Sequence, residues 1–116
     1  MTVTPESVAA LMESEDWGDR QRALHECRQL PPAIAIELVI QAVGDANARI
    51  RYAAVSQLAS LGQQARSRVL PLLRDRLLSD KEVDVQAAAA DSLGALQLQE
   101  AFDDLASVFR NSNKWL

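Results

Sequence analysis

The sequence contains little of what β folds and most catalytic sites require. Its 116 residues include one cysteine, one histidine, four glycines and four prolines, and 4% of them are aromatic. So few glycines and prolines disfavour a β-sandwich or a glycine-loop nucleotide fold, because these folds need many turns or a strained loop. The length suits one domain. A chain that is 48% hydrophobic yet poor in aromatics is typical of an all-α protein.

The single cysteine and single histidine limit redox and metal chemistry. Cys27 has no partner for an intramolecular disulfide, and His25 alone does not complete a zinc site with it. On a helix, two residues at this spacing point to different sides. We therefore expect Cys27 to be a buried packing residue and His25 to be exposed, with no catalytic residue, no metal and no required cofactor.

Targeting signals and a nucleic-acid-binding composition are also missing. No apolar run approaches the roughly 20 residues that span a bilayer, and residues 1–6 lack the basic and apolar regions of a secretory signal. The net charge of −4 does not suggest a nucleic-acid-binding protein. These features predict a cytoplasmic protein without a membrane span.

What the sequence does contain is an internal repeat. Residues 51–62 and 86–97 align at an offset of 35, and residues 20–30 fit the same template at an offset of 31. The spacing of apolar positions, as at 54, 55, 58 and 61, indicates one face of an α-helix. The aligned positions are Ala23/Ala54/Ala89, Leu24/Val55/Ala90, Cys27/Leu58/Leu93 and Leu30/Leu61/Leu96.

A second helix is predicted in each copy. Pro31–Pro32 and Gly62 separate the two helices of the first and second copies, whereas the third copy has only residues 97–99 at this point. Asp45, Asp80 and Ser112 lie between copies, where a side-chain oxygen would cap the next helix. The aligned positions of the second helices are Ile34/Val69/Ala101, Ala35/Leu70/Phe102, Leu38/Leu73/Leu105 and Ala42/Leu77/Phe109.

These patterns predict a single domain over residues 1–116, built as an α-α superhelix of about three helical hairpins. Thr4-Pro5-Glu6 marks the start of a capping helix whose apolar face includes Val8, Leu11 and Met12. The expected divisions are a capping helix over 1–14, repeats over 15–44, 45–79 and 80–111, and the start of a truncated fourth repeat over 112–116.

The middle repeat is a basic band between two acidic segments. Residues 46–78 carry six arginines and one acid, whereas residues 1–45 carry three basic and eight acidic side chains and residues 79–116 three and seven. Arginine suits carboxylate or phosphate recognition, so the band is a candidate partner-binding surface. The alternative is a solvated surface in which Arg51, with Arg20, bonds acids at helix starts such as Asp45 and in which Asp75 neutralises its neighbours. The six arginines are Arg49, Arg51, Arg66, Arg68, Arg74 and Arg76.

Two further features bear on binding. The second helix of the first repeat is apolar almost all round, since it carries Ile36, Val39 and Ile40 beside its aligned positions. We expect burial on two sides under the capping helix, and the alternative is an exposed apolar strip that binds a ligand. Trp17 and Tyr52 lie near helix starts beside the arginines, where they would stack on a flat ligand or fill an interface.

The repeat pattern of the sequence resembles that of a known group of proteins. An acid at the opening of the repeat, an arginine a few residues on and an Ala-Ala…Leu…Leu-Gly tail are similar to HEAT-like repeats of the phycobilisome-lyase type, and within these to the phycobilisome-degradation proteins of the non-bleaching B type. Those members are longer, so the chain would be an N-terminal fragment or a shortened relative. The stretches that carry the resemblance are residues 4–8, 14–20, 33–38, 49–58, 73–78 and 84–91.

The resemblance implies a right-handed, HEAT-like solenoid that acts in phycobilisome degradation. It implies a non-catalytic module that engages phycobiliproteins, their degradation adaptors or a bilin such as phycocyanobilin. A bilin lyase or isomerase subunit and a generic protein–protein scaffold are the alternatives. Phe102, Phe109 and Trp115 would lie on an uncapped C-terminal face, from which we expect self-association. The candidate binding residues are Trp17, Ile36, Ile40, Arg49, Arg51, Tyr52, Arg66, Arg68 and Arg74.

Overall fold

The computed structural model describes residues 2–112, which form six α-helices and two short 3-10 helices and contain no strand. The 3-10 helices Cys27–Gln29 and Gly62–Ala65 lead into the second helices of the first and second repeats. The predicted all-α fold is confirmed. The α-helices are α1 (Pro5–Met12), α2 (Trp17–Glu26), α3 (Pro32–Ala42), α4 (Ala48–Leu61), α5 (Arg66–Ser79) and α6 (Val83–Ser112).

Helix α1 begins where the sequence predicts. Thr4 caps it by accepting from the backbone amide of Ser7, whose hydroxyl accepts from the amide of Thr4, and Pro5 occupies the first turn. Val8 is fully buried, and α1 packs against both α2 and α3. The expected capping helix is confirmed.

Helix α3 is buried on two sides, as its composition predicts. Ile36 is 3% exposed and Val39 is fully buried, while Ile40 is partly buried against the same core. Because α1 covers one side of α3 and α4 the other, the alternative of an exposed apolar strip that includes Ile36 is wrong.

The turn between α4 and α5 depends on the small size of Gly62. This residue is buried and has an ordinary helical φ of −67°, so it is not required for backbone freedom. A Cβ added there would lie 2.9 Å from Cγ1 of Val69 and 3.1 Å from Cδ1 of Leu96. Glycine therefore lets this turn pack directly against α6.

The third repeat differs from the prediction. A turn was expected at residues 97–99, but α6 continues unbroken from Val83 to Ser112. The first two copies have proline or glycine at their turns, whereas Gln-Leu-Gln contains neither and all three residues are compatible with a helix. The third unit is thus one long helix, and Phe102, which was aligned with core positions, is 65% exposed.

The aligned positions of the first helices supply nearly half of the buried apolar residues of the core. Ala23, Ala54 and Ala89 are fully buried. Each of Cys27, Leu58 and Leu93 is less than 10% exposed. Three aligned residues are exposed instead, namely Ala90 on α6 and, from the second-helix positions, Ile34 (39% exposed) and Phe102. The alanines allow neighbouring helices to approach closely.

The helices form a flat, elongated molecule of 61 × 35 × 16 Å. Helix α4 lies between α2 and α6, while α3 packs against α4 and α5 packs against α6. The first helices of the repeats thus lie side by side, and their outer faces form one continuous surface.

Candidate functional site

An arginine near the start of α2 connects this helix to the loop before α4. Arg20 donates from Nε and Nη2 to the two carboxylate oxygens of Asp45, at 2.8 and 3.0 Å. Its Nη1 donates to the carbonyl oxygens of Ser14 and Glu15. Asp45 also accepts from the backbone amide of Asn47, the residue that caps α4. One guanidinium group therefore joins two successive repeats.

Arg51 repeats this arrangement one repeat later. It donates from Nε and Nη2 to Asp80, at 2.8 and 3.2 Å, and from Nη1 to the carbonyl oxygens of Asp45 and Ala46. Asp80 accepts from the backbone amide of Glu82 just before α6. The predicted bonding of Arg20 and Arg51 to acids before helix starts is confirmed. Arg20 binds the carboxylate of Asp45 and Arg51 binds that of Asp80, and we call these two repeated sets of bonds the arginine ladder.

The carboxyl groups of this ladder have altered acidity. Burial acts to raise the pKa of Asp45 and of Asp80, but hydrogen bonds from Arg20 and Arg51, together with those from backbone amides, outweigh it. Both pKa values therefore lie below the ordinary value for aspartate. The two carboxylates are stabilised in the charged form that the ladder needs.

Two hydrogen bonds at equivalent positions of successive repeats connect the first helices. The side-chain amide of Gln57 donates to the carbonyl oxygen of Leu24 at 2.9 Å, and the buried hydroxyl of Ser92 donates to that of Val55 at 2.8 Å. Gln57 and Ser92 occupy the same position of the 35-residue repeat, as do their acceptors in the alignment above. These bonds fix the register of α2, α4 and α6.

Most other arginines of the basic band also have acidic partners. Arg66 pairs with Asp103 and Arg68 with Glu37, and Arg76 pairs with both Asp75 and Asp80. Within residues 2–112, Arg74 forms no ion pair and is exposed. The band is therefore largely neutralised by acids of its own and of the neighbouring repeats.

A groove of about 1010 Å³ runs over the first helices of the repeats. Its lining comes from α2 and the turn after it, from α4 and from α6. Five partly or fully exposed alanines contribute to it, namely Ala48, Ala53, Ala59, Ala87 and Ala95. The groove is open along one side of the molecule, so it is accessible to a partner.

Side chains of both charges line this groove. Arg28, in the turn after α2, and Arg49, on α4, form no ion pair in the described part of the chain. Glu82, just before α6, and Asp84 and Asp91, on α6, likewise have no basic partner among residues 2–112. The groove is therefore basic towards α2 and α4 and acidic towards α6.

Aromatic residues lie beside the basic side. The guanidinium carbon of Arg49 lies 5.4 Å from the centroid of the Trp17 ring, a cation–π contact. Tyr52, one turn after Arg49, lines the groove and is 48% exposed. Tryptophan, tyrosine and arginine are the residue types that contribute most energy at protein interfaces, and here the three are adjacent.

A family model described as HEAT repeats matches the chain over residues 4–82 and again over residues 59–116. The chain belongs to the HEAT repeat family. No curated protein and no solved structure matches it. HEAT repeats are, as a class, protein–protein interaction scaffolds that bind along extended surfaces.

The HEAT repeat fold brings together only part of the predicted set of site residues. Arg49 and Tyr52 line the groove and Trp17 contacts Arg49, whereas Arg51 belongs to the ladder. Arg66, Arg68 and Arg74 lie on α5, which contributes nothing to the groove. Ile36 and Ile40 lie in and against the core.

The sequence reasoning did not select Arg28, Asp84 or Asp91. Arg28 lies in an acidic segment, so a charge count by repeat does not reveal it. Asp84 and Asp91 are seven residues apart and hence on one face of α6, a signal that was present in the sequence.

The predicted C-terminal contact face is described in part. Leu98 and Phe102, one turn apart on α6, are 72% and 65% exposed, while nothing is described of the side chain of Phe109, and Trp115 lies outside the described residues. Self-association through this end of α6 stays a prediction, which sedimentation over a range of protein concentrations tests. A strictly monomeric protein at high concentration contradicts it.

The cysteine and the histidine are placed as the sequence predicts. Cys27 is 1% exposed, and burial raises the pKa of its thiol, while His25 is exposed. In the described range, no three His, Cys, Asp or Glu side chains are grouped so as to hold a metal ion. Among the helices of the same range, none has the length and apolarity needed to cross a membrane.

Proposed function

We propose that this HEAT repeat protein is a non-catalytic binding module that engages phycobiliproteins or their bilin chromophore during phycobilisome degradation. The groove over α2, α4 and α6 is its binding surface. The observation that supports this best is the presence of Arg28 and Arg49 in the groove, neither paired with an acid in the described residues, beside an exposed Tyr52.

The chemistry of the groove is compatible with both forms of the ligand. A bilin is a flat apolar body with two propionates, which suits two guanidinium groups beside an aromatic ring and small apolar side chains. A phycobiliprotein would present side chains to the same surface. The choice of phycobiliproteins and their degradation adaptors over other partners rests on the sequence resemblance over residues such as 49–58 and 84–91.

Binding assays with matched variants test the proposal. The purified protein is titrated with phycocyanobilin, with absorbance as the readout, and with an intact phycobiliprotein, with sedimentation velocity as the readout. Arg49→Ala and Tyr52→Ala should weaken the response that the parent protein gives. Arg68→Ala is the control, because Arg68 is also an exposed arginine of the middle repeat but lies outside the groove. Absence of both responses at excess ligand rejects the proposal.

Two outcomes favour the alternatives. Transfer of bilin to or from a phycobiliprotein by the purified protein contradicts a non-catalytic role and favours a lyase or isomerase subunit. Mass-spectrometric identification of proteins that co-purify from a phycobilisome-containing lysate addresses the generic scaffold. A set of bound proteins without phycobiliproteins or degradation adaptors favours that alternative.

A further inference from the structure

The groove differs from the contacts between repeats in how its charges are used. At those contacts, basic and acidic side chains pair, as in Arg51–Asp80 and Arg68–Glu37. In the groove, basic and acidic groups are present together, and within residues 2–112 none of them pairs. A partner that carries the complementary charges would therefore gain ion pairs without breaking existing ones.

The acidic side chains of α6 in the groove recur at a helical spacing. Asp84 and Asp91 are seven residues apart on α6, which places them on one face about 10.5 Å apart along the helix axis. Ala88 and Ala95 line the same groove with the same spacing. Helices that pack alongside one another repeat every seven residues, with apolar residues at the contact and charged residues at its edges, and Ala88/Ala95 with Asp84/Asp91 have this spacing.

The small side chains set the distance of approach. Ala48 and Ala53 on α4 and Ala88 and Ala95 on α6 line the groove, and Val85, a larger aliphatic residue that also lines it, is only 1% exposed. Helices that meet over alanine approach to axis separations near the lower end of the usual 8–10 Å. A helix of a partner would therefore lie close to both α4 and α6.

We infer that the groove receives an α-helix of the partner protein, aligned with α6. That helix carries two basic residues seven apart on the edge that faces Asp84 and Asp91, and acidic residues on the edge that faces Arg28 and Arg49. This inference rests on the proposed function in so far as the ligand is a protein, and it specifies which part of that protein binds.

A designed peptide tests the inference without knowledge of the natural partner. The probe is a capped, alanine-based helical peptide with two lysines seven residues apart on one edge and two glutamates seven apart on the other. The comparison peptide has the same composition with the lysines five apart, which places them on different sides of the helix. The first peptide should bind at least about tenfold more tightly in fluorescence-anisotropy titrations at low ionic strength.

Charge reversal in the protein gives the matched control. Asp84→Lys/Asp91→Lys should weaken binding of the first peptide about tenfold and should favour a peptide with glutamate on both edges. Glu100→Lys/Asp104→Lys changes the net charge equally on the same helix, outside the groove, and should have little effect. Asp91→Lys alone repeats the test without altering the first turn of α6.

The inference is overturned if the two peptides bind equally, if neither binds, or if both double reversals have the same effect. Phycobiliprotein binding that is weakened by Arg49→Ala but not by Asp84→Lys/Asp91→Lys would leave the proposed function in place and remove the helical partner. Peptide binding as expected, without any phycobiliprotein binding, would remove the proposed function and leave the helical partner.

Discussion

The arginines of the ladder and the arginines of the groove are the same residue type in opposite situations. Arg51 is 13% exposed in its side chain and donates to one carboxylate and two backbone carbonyls. Arg49, two residues earlier on the same helix, is exposed, forms no ion pair within residues 2–112 and lies over the Trp17 ring. The comparison shows that an arginine-rich segment divides into stabilising and accessible members according to the face of the helix.

The largest effect on stability is expected when the ladder is broken at its most buried carboxylate. Asp80→Ala removes a fully buried acceptor from both Arg51 and Arg76 and also removes the bond to the Glu82 amide. We expect the free energy of unfolding to fall by about 2–3 kcal/mol, because the Arg51 guanidinium loses its partner in a largely buried position. Urea denaturation of the parent protein and the variant measures this loss in the free energy of unfolding.

The exposed pair Arg68–Glu37 provides the control for this prediction. Both side chains are more than half exposed, so Glu37→Ala should leave the midpoint of unfolding nearly unchanged. Equal losses from Asp80→Ala and Glu37→Ala would contradict the distinction between the ladder and the exposed surface.

Substitution of two glycines compares a packed position with an exposed one. Gly62→Ala should lower the free energy of unfolding by about 1–3 kcal/mol, because its Cβ would press on Val69 and Leu96. Gly94→Ala should raise it by up to about 1 kcal/mol, because Gly94 is exposed within α6 and a Cβ there meets nothing within 4 Å. Thermal unfolding of the two variants measures both, and a change of the same sign in both contradicts this description of α6.

Acid should weaken the ladder, because its two aspartates must be charged to hold the arginines. Because the pKa values of Asp45 and Asp80 are lower in the folded protein than in the unfolded chain, their contribution to stability is complete above the ordinary aspartate pKa. It is lost as the pH falls below about 4. Urea unfolding at pH 6, 4 and 3 should show this loss, and Asp80→Asn should reduce it. The same pH dependence in parent and variant would contradict the assignment to Asp80.

Much of the fold was predictable because its signals are local and periodic. The apolar spacing, the Thr4-Pro5 start and the break at Pro31–Pro32 each act within a few residues along the chain, whereas Gly62 acts through its packing against Leu96 of α6. The continuity of α6 differs from the prediction, because the repeat pattern predicts a turn at residues 97–99 although these residues contain no proline or glycine. Ala90 was misplaced for a similar reason, since alignment to Val55 does not determine which face of a longer helix is covered.

The candidate site was less predictable, because it depends on pairings between distant residues. Arg68 and Glu37 are 31 residues apart, and Arg66 and Asp103 are 37 apart. No local pattern indicates that these arginines are neutralised while Arg49 is not. The ladder was predictable, since Arg20 and Arg51 share one repeat position and the acids recur before the next helix.

We propose that Arg49 serves binding and Arg51 serves stability. The most direct measurement compares Arg49→Ala and Arg51→Ala in two assays on the same preparations, namely urea unfolding and binding to a phycobiliprotein. We predict that Arg49→Ala unfolds like the parent protein but binds more weakly, and that Arg51→Ala is clearly less stable. An Arg49→Ala protein that binds like the parent, or an Arg51→Ala protein of unchanged stability, would contradict the claim.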